Sequence, residues 1–207
     1  MTRSKRQQVG LFGGTFDPVH LGHLLAAQEA HERLGLSRVI LMVANIRPHK
    51  DRVVATRAAD RLAMLRLAAA GDERFEVSDL EIRRGGQSYT IDTVAALRAE
   101  MDDEIVLLVG SDSVPELPAW HRIGELVEVC TLVVLARPGF AAAGLAPLCA
   151  ALSGEQIERI AANVLSIPLM EISSTEVRAR LAAGRPIRYL VPRAVEDYIA
   201  EHRLYRD

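Results

Sequence analysis

Gln8-Val9-Gly10-Leu11-Phe12-Gly13-Gly14-Thr15-Phe16-Asp17-Pro18-Val19-His20-Leu21-Gly22-His23-Leu24 is the stretch on which the reading of this chain turns. The short apolar run at residues 8–12 predicts a first strand. Glycines and a Thr-Phe-Asp-Pro segment then break the pattern, and residues 21–34 resume with Leu21, Leu24 and Leu25 at helical spacing. A strand passing through a glycine-bearing turn into a helix is where α/β sheets bind phosphate. Gly13 and Gly14 are expected to let the backbone approach a ligand or take positive φ, and the amides of the helix start to donate to phosphate oxygens. His20 and His23, separated by one turn across Gly22, fall on one side of that helix start, where they would flank a single anion. A lone His-x-x-His is more often a solvated or core pair; its place directly behind a first strand favours the ligand reading. The stretch has neither the lysine of GxxxxGK[ST] nor the third glycine of GxGxxG, which argues against phosphate-loop kinases, GTPases and dehydrogenases.

Outward from this stretch, short blocks rich in Val, Ile and Leu alternate with longer stretches rich in Ala, Leu and Arg. Strands are expected at residues 39–43, 75–78, 105–109, 132–136 and 164–167, and helices at 57–70, 90–100, 120–127 and 155–161. Nearly continuous apolar strands suit a parallel sheet covered on both faces. Ser174 or Thr175 is expected to cap a helix reaching Ala183, Gly184 to end it, and Pro192 to open a last helix through Tyr198. The fold class is therefore α/β: a Rossmann-like doubly wound parallel sheet with a small helical C-terminal part at residues 172–207, all in one domain spanning 1–207. The Ala-rich segment 140–152 reads as a loop or a short extra helix.

Composition sets the remaining bounds. With 207 residues, 49% of them hydrophobic, the chain can bury one sizeable core. Its formal net charge of −2 supplies no long-range field toward nucleic acid or an anionic membrane, so an anionic ligand must be held by local donors. Cys130 and Cys149 are too far apart for a CxxC pair and too few for a zinc site, and read as reduced thiols. Arg3, Lys5 and Arg6 make a basic tail at residues 1–6, but the apolar run behind it is too short for a signal peptide, and no segment has the length of a membrane span. A cytoplasmic protein with no membrane or nucleic-acid partner is expected; a homo-oligomer is left open.

A second motif lies near the other end of the chain: Ile172-Ser173-Ser174-Thr175-Glu176-Val177-Arg178. Three hydroxyl residues at a helix start, followed by an arginine one turn on, offer side-chain and backbone donors to an anion. Alone it reads equally well as ordinary N-capping. Jointly, the two motifs assemble histidines, hydroxyls and an arginine around a nucleotide-sized site, as nucleotidyl transfer requires.

With both motifs in hand, the sequence resembles the HxGH nucleotidyltransferase superfamily, which shares GxFDPxHxGH early and an ISSTxxR run late; Thr15 to His23 and Ile172 to Arg178 match them. Within it the chain is similar to the bacterial nicotinate-nucleotide adenylyltransferases. The likeness is carried by Pro48-His49-Lys50, Ser88-Tyr89-Thr90-Ile91-Asp92-Thr93, Gly110-Ser111-Asp112 with Trp120-His121, Arg137-Pro138-Gly139, and Ile187-Arg188-Tyr189-Leu190-Val191-Pro192, and it runs from residue 9 to 205. One departure is Asn45-Ile46-Arg47, where the family often has a proline- and glycine-rich stretch.

The resemblance implies that ATP and nicotinate mononucleotide react to nicotinate adenine dinucleotide and pyrophosphate, with Mg²⁺ bound through substrate phosphates and no protein metal ligands. It implies catalytic roles for His20, His23, Lys50 and Arg178, and an ATP site of Gly13, Gly14, Thr15, Phe16, His20, His23, Gly110, Asp112, Arg137, Ser173, Ser174 and Arg178. The mononucleotide site would comprise Asn45, His49, Lys50, Tyr89, Thr90 and Trp120, the tryptophan stacking on the pyridine ring while amides near Tyr89 and Thr90 receive the carboxylate. Rival readings are a phosphopantetheine adenylyltransferase or CTP-using cytidylyltransferase of the same superfamily, and, from another class, a non-catalytic nucleotide sensor.

Overall fold

Short aliphatic runs make one parallel sheet in the computed structural model, which describes residues 6–46, 56–137, 139–168 and 170–205. In chain order the elements are β1 (Gln8–Gly14), α1 (Leu21–Leu34), β2 (Arg38–Val43), α2 (Ala58–Ala69), β3 (Phe75–Ser78), α3 (Leu80–Arg84), α4 (Thr90–Glu100) and β4 (Glu104–Gly110). A 3₁₀ helix (Ser111–Ala119) leads to α5 (Ile123–Val129) and β5 (Thr131–Ala136); a second 3₁₀ helix (Ala142–Ala150) precedes α6 (Gly154–Ala161), β6 (Val164–Ser166), α7 (Ser174–Ala182) and α8 (Arg193–Glu201).

The strand order is β3-β2-β1-β4-β5-β6, with every neighbouring pair parallel. The first three strands build outward from β1 in one direction; the chain then returns to lay β4 on the other side of β1 and builds outward again. That reversal opens a crevice at the carboxyl ends of β1 and β4, the expected ligand position in a doubly wound sheet.

Side chains sort between the two faces with period two. Val39, Leu41 and Val43 of β2 with Val106 and Leu108 of β4 pack under α1, α2, α7 and α8. Ile40 and Met42 with Ile105, Leu107 and Val109 pack under α4, α5, α6 and both 3₁₀ helices. Helix α1 meets the sheet through Ala26, Ala27 and Ala30, small residues that bring its N-terminus close to the strand ends. Both C-terminal helices belong to the first face: Val177, Leu181, Val195 and Ile199 join the α1 and α2 core.

Several expectations are corrected. Gly13 and Gly14 are not in a turn: the parallel ladder continues through them, opposite Met42 and Val43, and neither has a positive φ. Trp120 ends the 3₁₀ helix instead of opening α5, which starts at Ile123. The 3₁₀ helix itself was hidden by Pro115 and Pro118, which deny it a regular α pattern. The Ala-rich segment is the second 3₁₀ helix, anchored by buried Leu145 and Leu148. The cap of α7 is Ser173, whose Oγ accepts the Glu176 amide at 3.1 Å. Among the described residues no helix is long and apolar enough to cross a membrane.

Ala27 is fully buried between α1 and the sheet. Ala27→Leu is expected to lower the free energy of unfolding by about 1–3 kcal/mol through overpacking, measured by urea denaturation; a change of less than about 0.5 kcal/mol, the usual range for surface sites, would show that α1 does not rely on close approach.

Candidate active site

Where β1 ends, the chain turns back on itself. Phe16 sits at φ 50°, a left-handed conformation that costs a non-glycine residue on the order of 1–2 kcal/mol. Burial of its ring against the core offsets that cost. The ring folds over Gly14, where an added Cβ would lie 3.0 Å from its carbons, so Gly14 is glycine for want of space, not for a special φ. A Cβ at Gly13 would meet nothing within 4 Å, and this open position lines the cavity at the strand ends.

His20 is the N-cap of α1 and His23 its third residue. Their rings stack at 3.6 Å between centroids, 25° apart in plane, and the Phe16 ring meets His23 edge-on at 5.0 Å. The amide of His20 donates to His23 Nδ1 at 3.2 Å, so a neutral His23 carries its proton on Nε2. Gly22 between them is again spatial: its Cβ would stand 3.1 Å from His20 Nδ1. Burial, then the cationic Arg137, pulls the His20 pKa down to about 4, and burial, then His20 itself, holds His23 well below the usual imidazole value. Both are neutral donors near pH 7. His20 Nδ1 is buried and makes no hydrogen bond within the protein.

Three of the first four amides of α1 are taken up within the protein. Leu21 N–H donates to Leu190 O at 2.9 Å, and His23 N–H and Leu24 N–H return to His20 O. The Leu190 carbonyl thus takes the first amide of the helix end that the sequence offered to phosphate. The first turn of α7 also reaches the cavity: the amides of Ser174 and Thr175 have no acceptor within their own helix, and Ser173, Ser174, Thr175 and Arg178 all line it. This turn is bonded directly to the first motif. Ser174 Oγ donates to Pro18 O at 2.8 Å, and Arg178 Nη1 to Asp17 O at 2.7 Å. The Ser174 hydroxyl proton and one arm of Arg178 therefore hold the loop, while the rest of the guanidinium, with Nη2 3.3 Å from Thr175 Oγ1, remains at the cavity.

The far wall comes from the ends of β4 and β5. Gly110 closes β4, the exposed Asp112 begins the next turn, and Arg137 follows β5, 3.9 Å from Asp112, with its amide on Ser111 Oγ. Asn45 is held at the end of β2: its amide donates to Ser88 Oγ at 2.8 Å and its side-chain nitrogen to Gly86 O at 2.9 Å. Tyr89 caps α4, Thr90 opens it, and the Tyr89 ring lies 4.4 Å from that of His121. Trp120 packs on the second core face and still lines the cavity. One cavity of about 740 Å³ reaches from the histidines and α7 to Tyr89, Thr90 and Trp120, of a size for a small organic ligand. All the expected site residues border it except His49 and Lys50, which lie outside the described residues, as does Arg47.

The cytidylyltransferase-like family model matches residues 11–180. A Thermus thermophilus protein named "Probable nicotinate-nucleotide adenylyltransferase" is 46% identical over 96% of this chain and all of its own length. One of the same name from Thermomicrobium roseum is 43% identical over 96% of this chain and 92% of its own. The chain belongs to the nicotinate-nucleotide adenylyltransferase family. It is thus a nucleotidyltransferase by kinship, and its fold is shared with the nicotinic acid mononucleotide adenylyltransferase of Plasmodium falciparum, solved with NaAD (TM-score 0.74, 17% identity, 96% of this chain and 97% of that one).

Four residues that sequence reasoning gave no role frame this family's site here. Arg61 of α2 is buried, with its guanidinium on backbone carbonyls at the ends of β1 and β2. Asp17 accepts the hydroxyls of Tyr205, at 2.7 Å, and of Thr56. A signal for Arg61 existed: it continues the buried stripe of Met64 and Leu65 at helical spacing, where a cation needs acceptors. No local pattern announces Tyr205, whose partner lies 188 residues away.

The buried histidines predict a pH signature. Their folded pKa values lie below the unfolded value of about 6.5, so below that pH the unfolded chain takes up protons that the folded protein refuses. Stability is full above about pH 6.5 and falls toward pH 4, by at most ~1.4 kcal/mol per pH unit for each histidine. Replacing both by Gln is expected to flatten the wild-type slope of unfolding free energy between pH 7 and 5. Equal slopes in the two proteins would mean that the imidazoles titrate normally.

Proposed function

We propose that the protein joins ATP to nicotinate mononucleotide, forming nicotinate adenine dinucleotide and releasing pyrophosphate. The observation that carries this reading is the weld between the two motifs: the stacked His20 and His23 and the first turn of α7 line one cavity, with Ser174 and Arg178 holding Pro18 and Asp17. The relatives' names and the NaAD bound by the Plasmodium falciparum enzyme of the same fold support the choice of substrates.

In the reaction a phosphate oxygen of the mononucleotide bonds to the α-phosphorus of ATP as the bond to the β-phosphate oxygen breaks. A phosphate monoester has its second pKa near about 6, so the nucleophile is already dianionic at neutral pH and requires no general base. Neutral histidines accord with that: they serve as hydrogen-bond donors to the triphosphate, His23 through Nε2, and not as proton acceptors. The α7 amides and Arg178 receive the β- and γ-phosphates, so that the leaving pyrophosphate keeps its donors as charge develops. Gly110, Asp112 and Arg137 border the nucleotide, and Asn45, Tyr89, Thr90 and Trp120 border the pyridine mononucleotide, with Lys50 and His49 our candidates for its phosphate.

Histidines, Arg178, Arg137 and the hydroxyls of Ser173, Ser174 and Thr175 on the cavity wall are donors suited to phosphate oxygens. Mg²⁺ would be carried by the substrate phosphates, whose charge it would neutralise while these side chains hold the remaining oxygens. Reduced Cys130 and Cys149 agree with a cytoplasmic enzyme.

The deciding assay offers ATP and Mg²⁺ with nicotinate mononucleotide, nicotinamide mononucleotide or phosphopantetheine, and follows pyrophosphate and dinucleotide. The acid mononucleotide is expected to give the highest kcat/KM; a clear preference for another acceptor would overturn the substrate, and no pyrophosphate with any acceptor would favour a sensor. His20→Ala or His23→Ala is expected to lower kcat by roughly 10²–10³-fold with the fold retained, whereas near wild-type turnover in either would remove the imidazoles from the phosphate site.

A further inference from the structure

We propose that Arg61 is a positioning residue that sets the gap between the two substrate loops, with Tyr205, Thr56 and Asp17 completing its frame; the inference rests on the two-substrate reading above. Arg61 is 2% exposed, and among the described residues every acceptor of its guanidinium is a backbone carbonyl. Nη1 donates to Thr15 O at 2.8 Å and to Ala44 O at 2.7 Å, and Nη2 to Asn45 O at 3.2 Å. Thr15 belongs to the loop after β1, which carries the histidines; Ala44 and Asn45 belong to the loop after β2, which borders the mononucleotide end of the cavity. Nε reaches Thr56 O at 3.4 Å, and the Thr56 hydroxyl bonds Asp17, the residue whose carbonyl holds Arg178. Tyr205 donates to the same Asp17 carboxylate at 2.7 Å from beyond the end of α8.

A planar fork in one rotamer therefore spans the ends of β1 and β2 and fixes both loops relative to α7. Lysine cannot reproduce this: its ammonium is a point donor that cannot span carbonyls on two loops at these angles. Each loop still has its own strand, so either substrate can be bound singly without Arg61. What Arg61 adds is the relative placement of two reacting groups, to which the rate of an in-line displacement is steeply sensitive.

The test uses the full chain carrying Arg61→Lys or Tyr205→Phe. Folding is read by circular dichroism, ATP affinity by calorimetry without the second substrate, and kcat and KM with both. For Arg61→Lys we expect a folded protein, an ATP Kd within about threefold of wild type, and kcat lowered by about 30-fold or more, as misaligned reactants dictate. Tyr205→Phe, which leaves the ring and Arg61 in place, is expected to lower kcat by about threefold or more at unchanged ATP affinity, and carries the test alone if Arg61→Lys does not fold. A folded Arg61→Lys with wild-type kcat overturns the proposal, as does a raised KM with kcat unchanged, or unchanged kcat in Tyr205→Phe where Arg61→Lys is unfolded. If the wild-type protein prefers a different acceptor, the substrate assignment fails, and the same measurements with that acceptor still decide the role of Arg61.

Discussion

The site depends on two hydrogen bonds that cross most of the chain: Ser174 to the Pro18 carbonyl and Arg178 to the Asp17 carbonyl. They join a helix start from the C-terminal part to the loop that carries the histidines. No strand of the sheet lies in residues 172–178, and from this stretch only Ile172 and Val177 belong to the first apolar face. Without the two bonds the cavity, however, would lose one wall and its best-placed backbone donors. The C-terminal helices are consequently not an appendage. Leu190 completes the same construction from the other side by taking the first amide of α1.

This division explains why the sheet was legible in the sequence and the anion cradle only in part. Strands buried on both faces write themselves as aliphatic runs, and β3 falls at the expected residues because Phe75 to Ser78 is bounded by polar turns. The histidine pair was legible because its spacing is a local property of one helix turn. Which helix start faces the ligand was not, because the partner that closes α1 comes from Leu190 and no local rule places that carbonyl. The glycines illustrate the same limit: their positions were informative, but the reasons for Gly14 and Gly22 are the rings of Phe16 and His20 folding back over them.

Loops are where the reading needs tertiary information most. Asn45 and Ile46 were singled out as a departure from the family pattern, and the structure ties both to residues 86–88, by the Asn45 bonds to Ser88 and Gly86 and by the Ser88 amide on Ile46 O. The loop after β2 is thereby joined to the segment leading into α4, so the residues bordering that end of the cavity come from two crossovers held as one surface. Arg61 fastens that surface to the loop after β1 from beneath, entirely through carbonyls, which any sequence supplies and no motif records.

The electrostatics follow from the same construction. A chain of net charge −2 cannot attract a triphosphate by its overall field, and cationic histidines buried against two phenylalanines would lack a partner before substrate arrived. Keeping His20 and His23 neutral removes that cost and still leaves donors in place. Arg137, half-exposed at the rim beside Asp112, retains its charge in water and at the same time disfavours protonation of the pair behind it. The pair can then meet a phosphate as neutral donors, in the protonation state the free protein already has, with no buried cation to compensate beforehand.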